Sequence, residues 1–137
     1  MPKSHTDTAV VQSTLLHTLG FVRIVEQESD QPYTVAEFVP DERHCHSSVQ
    51  GGFIAAWLDF AMARTVSEAT DGEAGASTLE LKTSYYAPAF KGETYRAEAW
   101  VERLGRSLVF LEAKLTNAAG EVVAKASSTA KLARRSK

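Results

Sequence analysis

Two features of the chain combine residue types that do chemistry. One is the run His44-Cys45-His46-Ser47-Ser48-Val49-Gln50-Gly51-Gly52. The other, seven residues on, is Asp59. Paired glycines where a helix starts let the backbone come close to a ligand. The first N–H groups of a helix have no intrahelical partner, and the dipole there favours negative charge, so such an end can hold a developing oxyanion. The same pair also makes an ordinary turn. Asp59 is set among Leu58, Phe60, Ala61 and Met62. A carboxylate in that company is costly unless hydrogen-bonded or paired. It either points to the solvent side of its helix or is kept for a reaction. His44 and His46, with Cys45 between them, lack the paired four-ligand spacing of a structural zinc site, so no metal is expected. Cys45 as a nucleophile needs a base, and no histidine follows His46. Neither a phosphate loop nor a dinucleotide fingerprint is present.

These residues must be positioned by regular elements. Thr8 to Leu19 carries Val10, Val11, Leu15, Leu16 and Leu19 at helical spacing, with Thr6 or Asp7 as a cap and Gly20 as a stop. Two strands are expected over 21–28 and 33–39, with Asp30, Gln31 and Pro32 turning between them. The segment 40–50 reads as a loop. A helix then runs from about Phe53 to Ala69, with a wide apolar face of Phe53, Ile54, Trp57, Leu58, Ala61, Met62 and Val66. At about 1.5 Å per residue it is roughly 25 Å long. Beyond Asp71 and Gly72 the pattern has a period of two, over 77–86, 93–103, 107–116 and 121–132. In the first of these, Leu79, Leu81, Thr83 and Tyr85 share a face. The joints at 88–92, 104–106 and 117–120 are short and rich in turn formers, which favours an antiparallel sheet. A lone helix this apolar cannot stand in water. A curved antiparallel sheet of five to six strands wrapped around it would bury it, an α+β arrangement.

Length and composition fit this. The 137 residues suit one domain spanning 1–137, and 44% hydrophobic with 23% charged residues is an ordinary globular balance. A net charge of −2 offers no whole-molecule attraction for nucleic acid. The basic cluster Arg134, Arg135 and Lys137 reads as a solvated chain end. One cysteine excludes an internal disulfide and fits a reducing compartment. A polar N-terminus and the lack of a long apolar run point to a cytoplasmic chain with no membrane partner.

With these residues in place, the chain resembles the hotdog-fold acyl-CoA thioesterases of the phenylacetate-degradation (PaaI) and 4-hydroxybenzoyl-CoA types. The resemblance covers about Leu19 to Leu132. The family motif is an Asn or Gln, five residues, then His-Gly-Gly, and an Asp nine residues after that His. This chain has His44, then Gln50-Gly51-Gly52, then Asp59. Ser77 to Pro88 is similar to the family's central strand with its closing aromatic and proline. Gly105-Arg106-Ser107 and Asn117 to Gly120 are similar to two later turns. The resemblance implies a hotdog fold and hydrolysis of an acyl- or aryl-CoA to the free acid and CoA. Asp59 would be nucleophile or general base, and the Gly51 N–H, with Gly52 beside it, would polarise the carbonyl. Ser77 falls where the family often positions the water or carboxylate. Arg103, Arg106 and Ser107 are candidates for the CoA phosphates. No cofactor is implied, CoA being part of the substrate. His44 stands where Asn or Gln is usual, and Gln50 where His is usual. These departures keep open an acyl-CoA-binding protein with little activity. A hotdog hydratase or dehydratase is the other alternative, though Asp41 and His46 match its motif poorly.

Geometry adds an expectation about assembly. Gly51 and Asp59 are eight residues apart on one helix, about 12 Å along its axis, too far for one side chain to serve both. A second chain with its helix antiparallel to the first would bring its own Asp59 to this Gly51. A two-fold homodimer does this with one self-complementary contact. The resemblance implies the same dimer, doubled to a homotetramer.

Overall fold

The computed structural model describes residues 14–28 and 31–134. The chain order is α1 (Thr14–Thr18), β1 (Phe21–Glu28), β2 (Tyr33–Phe38), a 3-10 turn (Glu42–His44), α2 (Gly51–Ala69), β3 (Ala74–Tyr85), β4 (Tyr95–Leu104), β5 (Leu108–Thr116) and β6 (Val122–Arg134). Most of the helix expected over 8–19 lies outside the described residues, as do Asp30, Arg135 and Lys137; α1 is its last part.

All six strands form one antiparallel sheet in the order β1-β2-β4-β5-β6-β3. Its inner face is built by alternation. Val109, Leu111, Ala113 and Leu115 of β5, and Ala124, Ala126, Ala130 and Leu132 of β6, are all buried. Against this face lies α2. Its residues Ile54, Trp57, Leu58, Ala61, Met62, Thr65 and Val66 are buried, one stripe at helical spacing. Trp57 is fully buried, stacks 5.2 Å from the Phe38 ring and donates its indole N–H to the Leu19 carbonyl at 2.7 Å. Burying such a side chain stabilises the fold by about 1.5–3 kcal/mol. The opposite stripe is only half covered within one chain: Gly52 is exposed, and Ala55, Ala56, Asp59 and Ala63 are intermediate. The helix is gripped on one side, not enclosed.

Two departures from the expected pattern matter for the site. First, α2 begins at Gly51, two residues earlier than its apolar run, because Gln50 caps it. The Gln50 Oε1 accepts the Gly52 N–H at 2.8 Å, satisfying one of the free first-turn donors. Second, β3 is not a simple alternation. Its register with β6 shifts between Thr78 and Glu80, a bulge at Leu79. Ala74 is buried, and Ala76 packs on the core before the bulge; Leu81 does so after it. Leu79 is 60% exposed, not inward with Leu81.

Candidate active site

The loop before α2 is held by its own polar groups. Asp41 and His44 form a capping box: the Asp41 carboxylate accepts the Arg43 N–H at 2.9 Å, and the Asp41 N–H donates to His44 Nδ1 at 2.9 Å. The Arg43 side chain hydrogen-bonds the same carboxylate and holds its pKa below the usual carboxylate value. His44 Nε2 faces the Thr18 carbonyl at 2.8 Å. With Nδ1 accepting, Nε2 carries the proton and donates it there. The ring is 1% exposed and packs edge-on against Phe53, with centroids 4.9 Å apart. Gly20 lets it fit. At Gly20 φ is +81°, and a Cβ there would stand 2.8 Å from the Val39 carbonyl oxygen and 3.2 Å from the ring. Both ring nitrogens of His44 are therefore engaged by backbone groups. His44 ties α1 to the loop and, through its carbonyl, accepts the Gln50 N–H at 2.8 Å.

That chain of bonds ends at the start of α2. The Gly52 N–H is taken by Gln50 and the Phe53 N–H by the Gln50 carbonyl at 3.0 Å. The Gly51 N–H has no partner among the described residues. It adjoins a cavity of about 400 Å³ lined by Gly51, Ile54, Tyr85, Tyr86, Pro88 and Ala89, among others. An unpaired N–H at a helix start, with no acidic residue in the first turn, is a donor for a negatively charged oxygen.

Two turns along, Asp59 is half-buried, and its Oδ1 accepts a hydrogen bond from the Thr78 hydroxyl at 2.9 Å. The hydroxyl that reaches Asp59 is that of Thr78, next to the Ser77 that the resemblance offered. Because Leu79 bulges, Thr78 turns toward the helix. Ser77 pairs with Lys131 and faces outward, in a row with exposed Leu108. The only hint in the sequence is the two adjacent hydroxyls at 77 and 78.

Sheet register fixes which end each group occupies. One row across the inner face is Tyr85, Ala124, Leu115, Ala97 and Ala36, and the Tyr85 hydroxyl reaches the Gly51 carbonyl at 2.6 Å. Another is Thr78, Ala130, Val109 and Leu104, at the Asp59 end. The β4–β5 turn therefore sits at the Asp59 end. Arg103, Arg106 and Ser107 are all exposed there, with the Ser107 carbonyl accepting the Leu132 N–H at 2.8 Å. Within one chain they are far from Gly51. Among the described residues no three His, Cys, Asp or Glu side chains converge as metal ligands, and no helix is long and apolar enough to cross a membrane.

Residues 46–124, more than half of the chain, match the thioesterase superfamily. The chain belongs to the thioesterase superfamily. Solved structures place it further. A phenylacetic acid degradation-related protein of Ralstonia eutropha JMP134 is 30% identical, with TM-score 0.78 over 85% of this chain and 88% of that one. The Escherichia coli PaaI protein of the phenylacetic acid degradation operon is 18% identical, with TM-score 0.81 over 97% and 91%. A third, smu.793 of Streptococcus mutans, was solved bound to acetyl CoA; it is 19% identical, with TM-score 0.72 over 85% and 91%. No curated protein matches the sequence. The six-stranded antiparallel sheet gripping α2 is the hotdog fold, and this thioesterase-superfamily chain is of the PaaI type.

Proposed function

We propose that the chain is an acyl-CoA thioesterase that cleaves an acyl- or aryl-CoA into the free acid and CoA. The observation that carries this is one helix offering both an unpartnered Gly51 N–H and a half-buried carboxylate, Asp59, held by Thr78. Membership in the thioesterase superfamily supports it, as does the acetyl CoA bound to the Streptococcus mutans protein.

In this reading the thioester carbonyl oxygen accepts the Gly51 N–H. Asp59 then adds to the carbonyl carbon or takes a proton from the water that does. Thr78 holds Oδ1, leaving Oδ2 for the reaction. Charge gathers on the carbonyl oxygen, and the Gly51 N–H and helix dipole stabilise it. Collapse breaks the C–S bond, and the CoA thiolate takes up a proton. Where Asp59 adds first, water then hydrolyses the acyl-aspartate. Neither route needs a metal or cofactor beyond the CoA of the substrate.

The active site is formed by two chains. The half-open stripe of Ala55, Ala56, Asp59 and Ala63 lets a second helix approach closely and bring its Asp59 to this Gly51. β3, at one edge of the sheet, would pair with its copy and hide its free backbone groups. The β4–β5 turn travels with Asp59, so Arg103, Arg106 and Ser107 of that chain are placed for the CoA phosphates. Gln50, exposed beside Gly51, keeps its amide nitrogen free to donate. A homotetramer would be two such dimers.

The experiment is a panel of acyl- and aryl-CoA thioesters with thiol detection, run with a chelator present. Release of free CoA from at least one member is expected. Binding without release, or water addition without release, would contradict the proposal.

A further inference from the structure

Resting on the thioesterase reading above, we infer that Tyr85 is a positioning residue for the reaction: its hydroxyl ties the first residue of α2 to β3 and so steadies the helix start from which the Gly51 N–H projects toward the oxyanion. The geometry is specific. The Tyr85 O–H donates to the Gly51 carbonyl at 2.6 Å, from a strand 34 residues away. Its ring lies so close that a Cβ on Gly51 would meet the ring and hydroxyl at 3.2 Å. A first-turn glycine has the backbone freedom to fray, and the Gln50 cap bonds the Gly52 N–H, one peptide beyond the one that carries the Gly51 N–H. Beyond the bonds of α2 itself, the Tyr85 hydroxyl ties the Gly51 carbonyl to β3. Burial of the hydroxyl raises its pKa above the ordinary tyrosine value. It therefore stays protonated, and remains a donor, throughout the neutral range.

An oxyanion donor works because it needs no reorganisation when charge develops. Loosening Gly51 leaves ground-state binding of the CoA chain intact and costs transition-state stabilisation, so the loss falls on kcat more than on KM.

The test is Tyr85→Phe, which keeps the ring and removes the O–H. Two readouts are taken: CoA release, and the backbone 15N order parameter of Gly51 in the substrate-free protein. We expect kcat to fall about tenfold, less than loss of an oxyanion donor itself. KM should change less than twofold, Tm should stay close to wild type, and the Gly51 order parameter should drop while those at the middle of α2 hold. An unchanged order parameter, or a lowered one with wild-type kcat, overturns the inference. A wild-type protein inactive on every thioester sinks the thioesterase reading instead, and the positioning role with it; an active wild type with an indifferent Tyr85→Phe sinks only the role of Tyr85.

Discussion

His44 and Asp59 are both polar groups set in apolar surroundings, and both draw attention in the sequence. The structure treats them in opposite ways. Each ring nitrogen of His44 is bonded to backbone, one to the Asp41 N–H and one to the Thr18 carbonyl, and the ring is closed off from solvent. Asp59 is half-open, and one hydroxyl holds one of its oxygens. A buried polar group whose hydrogen-bonding capacity is used up is a joint in the scaffold. One left partly unused, beside open space, is available for chemistry. The same contrast recurs at the helix start, where Gln50 satisfies Gly52 and the Gly51 N–H is left over.

The most direct way to break the comparison is to exchange its outcomes. Asp59→Asn keeps size and loses charge, and should lower kcat by about a hundredfold or more with the urea midpoint near wild type. His44→Ala should do the reverse. It leaves the Asp41 N–H and Thr18 carbonyl unpaired and a void beside Phe53, at a cost of about 2–4 kcal/mol, read as a lowered urea midpoint. The kcat of the protein that remains folded should stay within a few-fold of wild type. A dead but fully stable His44→Ala would return that ring to the chemistry.

A smaller effect sharpens the bulge at Leu79. Thr78→Ala should reduce kcat about tenfold, because Asp59 loses its one hydroxyl partner, whereas Ser77→Ala should leave kcat within twofold. Equal losses at both would mean that the strand does not hold the register described. Smaller again is Arg106→Ala. A phosphate contact remote from the carbonyl contributes mainly uniform binding, so KM should rise a few-fold at low salt with kcat unchanged, and the rise should shrink at high salt. An unaltered KM at low salt removes Arg106 from the site.

Strands whose alternation is unbroken are legible in the sequence. Val109 to Leu115 and Ala124 to Leu132 are inward where the period of two puts them, apart from bounds shifted by a residue or two. The apolar stripe of α2 is legible for the same reason. So is Asp59, because a carboxylate among Leu58, Phe60 and Met62 is a local anomaly. Thr78 is not, because one extra residue at Leu79 flips everything before it to the other face, and nothing in the residue types marks a bulge. Tyr85 is not either: its bond to Gly51 closes across 34 residues, and local pattern carries no information at that range. His44 stands out by its type, but what saturates it comes from Thr18, 26 residues earlier.

The central claim is that Gly51 of one chain and Asp59 of another make one active site. Asp59→Asn and Gly51→Val chains, each inactive alone, are to be unfolded together, refolded, and assayed for CoA release. Mixed dimers contain one site with both wild-type groups, so activity should return to about a quarter of the wild-type level when the chains mix at random in equal amounts. If both parents refold and mixed dimers form, yet no activity returns, the two groups do not act across a shared interface.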